Sequence, residues 1–125
     1  LNIIISNSSG VPIYEQIKEQ IKGSILNGEL EEHGALPSIR ALAQELRISV
    51  ITTKRAYEDL ERDGFIYTLP GKGSFIAAQN KELVKEAQMR IIEEKFTEAI
   101  EVSKYINLSL EDLMEILKVL FEEQN

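Results

Sequence analysis

Apolar residues recur every fourth position after Pro12, at Ile13, Ile17 and Ile21, and Ile25 and Leu26 close the stripe. That spacing predicts a helix with one buried face, opened by a proline at its first turn and ended by Asn27-Gly28. A loop from Glu29 to Leu36 leads to Pro37-Ser38 and to a short second helix with Ile39, Leu42, Ala43 and Leu46 on one side. Arg47-Ile48 forms the turn. Ser49 then fits as N-cap of a third helix whose inward face is Thr53, Ala56, Tyr57 and Leu60 and whose end is marked by Gly64. Beyond it the composition shifts to aromatic and β-branched residues. Phe65 to Leu69 and Ser74 to Ala77 flank Pro70-Gly71-Lys72-Gly73, which predicts a tight hairpin. Residues 2 to 5 are a candidate edge strand.

A second apolar system follows. Val84, Ala87, Ile91, Phe96 and Ala99 trace a stripe on a helix from about Lys81 to Lys104, widened by Leu83, Ile92, Ile100 and Val102. Asn107 interrupts it, and Ser109 with Asp112 has the form of a capping box for a last helix carrying Leu110, Leu113, Met114, Ile116, Leu117, Leu120 and Phe121. So much apolar surface is hard to bury against a small domain alone. Burial against the same helices of a second copy is the economical solution, with Val84, Ala87, Ile91, Phe96, Leu113, Leu117 and Leu120 as the expected contacts. Folding back onto the first domain is the alternative.

Two helices and a hairpin joined by very short connections, over Leu36 to Ala77, have the layout of a winged helix-turn-helix. The expected fold is therefore mainly α with a small β-hairpin wing. Residues 1–78 would form the winged helix-turn-helix and residues 79–125 a two-helix dimerisation segment, which suits a chain of 125 residues.

Charge qualifies a nucleic-acid role without removing it. The formal net charge is -7, and neutralising phosphate with Lys and Arg supplies much of DNA affinity. Residues 37–78, however, carry six basic side chains against five acidic ones, whereas residues 79–125 carry six against eleven. The acid is concentrated away from the predicted reading module, and weak non-specific binding is expected. With no cysteine and one histidine, His33, no metal site, cofactor or thiol nucleophile is expected. Nor does any nucleophile-base pair suggest an enzyme. There is no apolar run of about 18 residues, and the patch Ile3 to Ile5 lacks the flank of a signal peptide, so a cytoplasmic chain with no membrane partner is expected.

On a helical wheel with Thr53 to Leu60 inward, Ile51, Arg55 and Arg62 point outward, and Thr52 and Lys54 flank them. A helix entering the major groove by its N-terminal end would present Ser49, Ile51, Thr52, Lys54 and Arg55. Arg and Lys can donate to guanine or phosphate, hydroxyls to either, and an exposed Ile can cover a thymine methyl. Glu58, Asp59 and Asp63 would repel phosphate, tilting the later turns away from the duplex. Pairing of Arg55 with Glu58 or Asp59 is the structural alternative.

The runs PIYEQIKEQIKGSILNGEL, LPSIRALAQEL and TTKRAYEDLERDGFIYTLPGKGSF, over roughly residues 10–78, resemble the N-terminal domain of GntR-family bacterial transcription regulators. The remaining 47 or so residues are too few for the large effector domains common in that family and resemble the YtrA subfamily, with its short helical dimerisation segment. The resemblance implies DNA contacts at Arg40, Ser49, Thr52, Lys54 and Arg55 and at the wing residues Gly71, Lys72 and Gly73. It also places Ser38 at a helix start suited to phosphate. Two departures stand out. Ser49-Val50-Ile51 replaces polar base-contact candidates with apolar ones, and His33 stands where a glycine is usual. Implied partners are double-stranded DNA and a second copy of the chain; a small-molecule effector is not identified. The expected function is a homodimeric repressor on a pseudo-palindromic operator, against the alternative of a winged-helix protein-interaction module.

Overall fold

The computed structural model describes residues 1–124 and divides into two compact units, Leu1–Glu86 and a second beginning at Ala87. The first contains α1 (Ile13–Leu26), α2 (Ile39–Leu46), α3 (Val50–Arg62) and an antiparallel hairpin of β1 (Ile66–Leu69) and β2 (Gly73–Ile76). Helices α1 and α2 both pack on α3. The stripe predicted on α1 is the buried one: Ile17 and Ile21 are 0% exposed, with Leu42, Leu60, Ile66 and Ile76 against them. Burying each such side chain contributes about 1.5–3 kcal/mol.

Tyr57 carries a polar group into this core. The Tyr57 hydroxyl donates to the Pro37 carbonyl at 2.7 Å, which ties α3 to the entrance of α2. Burial pushes the phenol pKa up, so the proton needed for that bond stays in place.

The hairpin pairs Ile66 with Ile76 and Leu69 with Gly73. Its outer edge at β2 is covered by the loop before α2. His33 N–H donates to Ile76 O at 2.7 Å, Ile76 N–H to Gly34 O at 2.9 Å and Leu36 N–H to Ser74 O at 2.9 Å, with a bridge between Ala35 and Phe75. His33 adopts φ +64, the left-handed conformation for which glycine would be the easy choice, and its Nδ1 lies 2.9 Å from the Tyr67 hydroxyl. The loop thus keeps the conformation with a side chain in place, and that side chain gains a partner on β1.

Residues 2 to 5 are not a strand. Two glutamines of α1 satisfy this backbone instead. Gln20 accepts from Ile4 N–H at 2.9 Å and donates to Ile4 O at 2.7 Å, while Gln16 accepts from Ser6 N–H at 2.8 Å. Ile3 is buried and Ile4 exposed, so the alternation that reads as a strand reports a segment lying on the core without a strand partner.

Helix α4 spans Lys81–Lys104 and α5 spans Leu110–Gln124. Between them Asn107 takes φ +55. The capping box forms as written in the sequence: Ser109 Oγ accepts from Asp112 N–H and Asp112 Oδ2 from Ser109 N–H, each at 3.1 Å. No helix among the described residues is long and apolar enough to cross a membrane.

Candidate nucleic-acid interface

The first turn of α3 is built by Ser49. Its Oγ accepts from Thr52 N–H at 3.1 Å and donates to Thr52 Oγ1 at 2.8 Å. The Ser49 proton is therefore used within the helix, and the Thr52 hydroxyl keeps its own proton for an outside acceptor. Thr53, fully buried, donates to the Ser49 carbonyl at 3.1 Å, so this turn is held from both sides. At the start of α2, Ser38 Oγ accepts from Ala41 N–H at 3.0 Å and retains its O–H, with Arg40 exposed beside it. The first N–H groups of both helices have no intrahelical partner and carry the positive end of the helix dipole.

The outer face of α3 has little to do with the core. Ile51 is 80% exposed, and Val50 is half exposed next to it. Lys54 reaches Glu58 at 3.7 Å and Arg62 reaches Asp59 at 3.0 Å. Such surface pairs are worth about 0.2–1 kcal/mol and yield readily to a phosphate. Arg55 takes neither acid. Its guanidinium lies over the ring of Tyr14 on α1, the central carbon 3.7 Å from the ring centroid. The spacing of α3 could not show this contact, because the partner stands on another helix.

The hairpin tip closes with Lys72 N–H donating to Leu69 O at 2.9 Å; Pro70 takes the second position of the turn and Gly71 the third, at φ +77. That φ demands glycine, as in a type II turn. Gly73 follows at φ +112, and Lys72 is exposed between them. Thr68 of β1 donates to Glu61 Oε2 of α3 at 3.2 Å, which fixes the wing against the helix. Ser38, Arg40, Ser49, Ile51, Thr52, Lys54, Arg55 and the glycine-flanked Lys72 therefore all belong to one compact unit. Among the described residues no cluster of His, Asp or Glu could hold a metal ion.

The family model described as "Bacterial regulatory proteins, gntR family" matches residues 13–76, from the first turn of α1 to the end of β2. The chain belongs to the GntR family. Among GntR proteins it is 38% identical over 116 residues to the HTH-type transcriptional repressor YtrA of Bacillus subtilis, covering 93% of this chain and 89% of that one. A solved structure of YtrA from Sulfolobus acidocaldarius, described as a GntR-family transcription factor, matches with a TM-score of 0.59 at 33% identity. The match covers 76% of this chain and 96% of that one. The DNA-binding domain of AraR, solved in complex with operator ORX1, matches with a TM-score of 0.55 at 29% identity over 62% of this chain and 96% of its own. The winged unit is thus the DNA-binding domain of a GntR transcriptional regulator of the YtrA kind, and its relatives are regulators rather than enzymes.

The C-terminal candidates fall into two groups. Phe96, Leu113, Leu117 and Leu120 line one apolar groove of about 280 Å³ between α4 and α5. Val84, Ala87 and Ile91 stand on the earlier turns of α4, Val84 and Ala87 half-buried and Ile91 exposed.

Proposed function

We propose that this GntR protein is a homodimeric, cytoplasmic repressor that reads a pseudo-palindromic operator. Residues 1–78 bind DNA and residues 79–125 hold two copies together. The observation that carries the reading is the division of α3 into two faces. Thr53, Ala56, Tyr57 and Leu60 secure the helix, while Ile51, Thr52, Lys54 and Arg55 stand outside the core, in the same unit as a wing tipped by Lys72. In the major groove, Lys54 and Arg55 donate to guanine or phosphate, Thr52 donates its free proton, and Ile51 covers a thymine methyl. Ser38, Arg40 and the wing from Gly71 to Gly73 grip the backbone and set the register, while Ser49 serves the interface by holding the Thr52 hydroxyl in place. The apolar groove of α4 and α5 supports dimerisation, since two copies related by a twofold axis bury it and present two reading helices to related half-sites. Repression accords with the YtrA relative, itself described as a repressor.

Binding of the purified protein to duplex from its own promoter, measured against random duplex at two salt concentrations with the mass of the complex, tests the proposal. Salt-sensitive preference for the promoter with two protomers per site is expected. Equal affinity for both duplexes defeats the operator reading, and one protomer per site defeats the dimer.

A further inference from the structure

We propose that Tyr14 is a positioning residue for DNA recognition, holding the Arg55 guanidinium flat so that its N–H edge faces the duplex. The proposal rests on the DNA reading of α3 given above. Tyr14 lies in the first turn of α1, half-buried against the core to which Ile17 and Ile21 also belong, so its ring is carried by a rigid element. The Arg55 guanidinium stacks on that ring at 3.7 Å. Glu58 is taken by Lys54 and Asp59 by Arg62, and among the described residues the Arg55 guanidinium makes no hydrogen bond or ion pair. A stacked guanidinium uses its face and leaves five N–H donors in its plane for acceptors. An unstacked, exposed arginine samples many rotamers, and the entropy lost on meeting a base or phosphate counts against binding. The ring removes much of that loss before DNA arrives.

The test is a double-mutant cycle on promoter and random duplex, with thermal melts of every variant. Tyr14→Phe keeps the ring and is expected to bind as the wild type does. Tyr14→Leu is expected to weaken promoter binding about two- to fivefold, the size of a surface cation–π contact. In an Arg55→Ala background the same change is expected to do nothing. If Tyr14→Leu fails to fold, Tyr14→Met refills the apolar volume without the ring face. Equal losses in both backgrounds, or tighter binding without the ring, would overturn the role of Tyr14 while leaving the DNA reading intact. A wild-type protein without promoter preference would overturn both.

Discussion

The two units of this chain use similar apolar patterns to opposite effect. In the winged unit the stripe Ile17, Ile21 and Ile25 is buried, and the chain supplies everything that covers it. In the second unit α5 buries no residue at all and Ser103 is the one buried residue of α4. Phe96 remains 48% exposed and Leu117 46%, although they line a common groove. An amphipathic helix is a demand for a partner, and periodicity does not say which chain provides it. For α1 that partner is α3 of the same chain. For α4 and α5 we propose a second copy.

The largest expected effect breaks the self-sufficient half. Ile21→Ala removes a fully buried side chain and should lower stability by about 2–5 kcal/mol in urea or thermal unfolding. A loss under 1 kcal/mol would mean that this core is looser than its burial indicates. The complementary change is Leu117→Asp, which should leave the winged unit folded, convert dimers to monomers in sedimentation and reduce operator affinity on the order of a hundredfold through lost bivalency. A dimer of unchanged mass would remove Leu117 from the interface. Ser109→Ala takes one bond from the box that starts α5 and should cost about 1 kcal/mol of that helix, read by circular dichroism or hydrogen exchange. Ile51→Ala is expected to change stability by no more than about 0.5 kcal/mol, because the side chain touches no core. It should also abolish any discrimination between thymine and uracil in the operator. A marked drop in melting temperature would show that Ile51 supports the fold instead of reading DNA.

Much of this was readable along the chain, and the reason differs by element. Helix starts and stops rest on local chemistry, so Ser49, Ser109 with Asp112, and the glycine at 64 mark them without knowledge of the fold. The hairpin was legible because a turn with Pro70 and Gly71 admits few conformations. Residues 2 to 5 misled because alternation reports burial on one side and is silent about what satisfies the backbone; here the amides of Gln16 and Gln20 do so. For Arg55 it was the alternative of pairing within α3 that failed, for a related reason. Its sequence neighbours Glu58 and Asp59 were the visible partners, and the true one lies forty-one positions away in the chain.

By itself the sequence determined the elements, their order and the inward face of each helix in the winged unit, since propensity, capping and periodicity act within a few residues; the family showed separately, through the resemblance of whole motif runs. Only the tertiary structure decided which groups meet across elements: the loop at 33–36 on the edge of β2, Thr68 on Glu61, and Tyr14 under Arg55. Those contacts depend on packing angles and loop paths set by the whole core, and no local rule contains them.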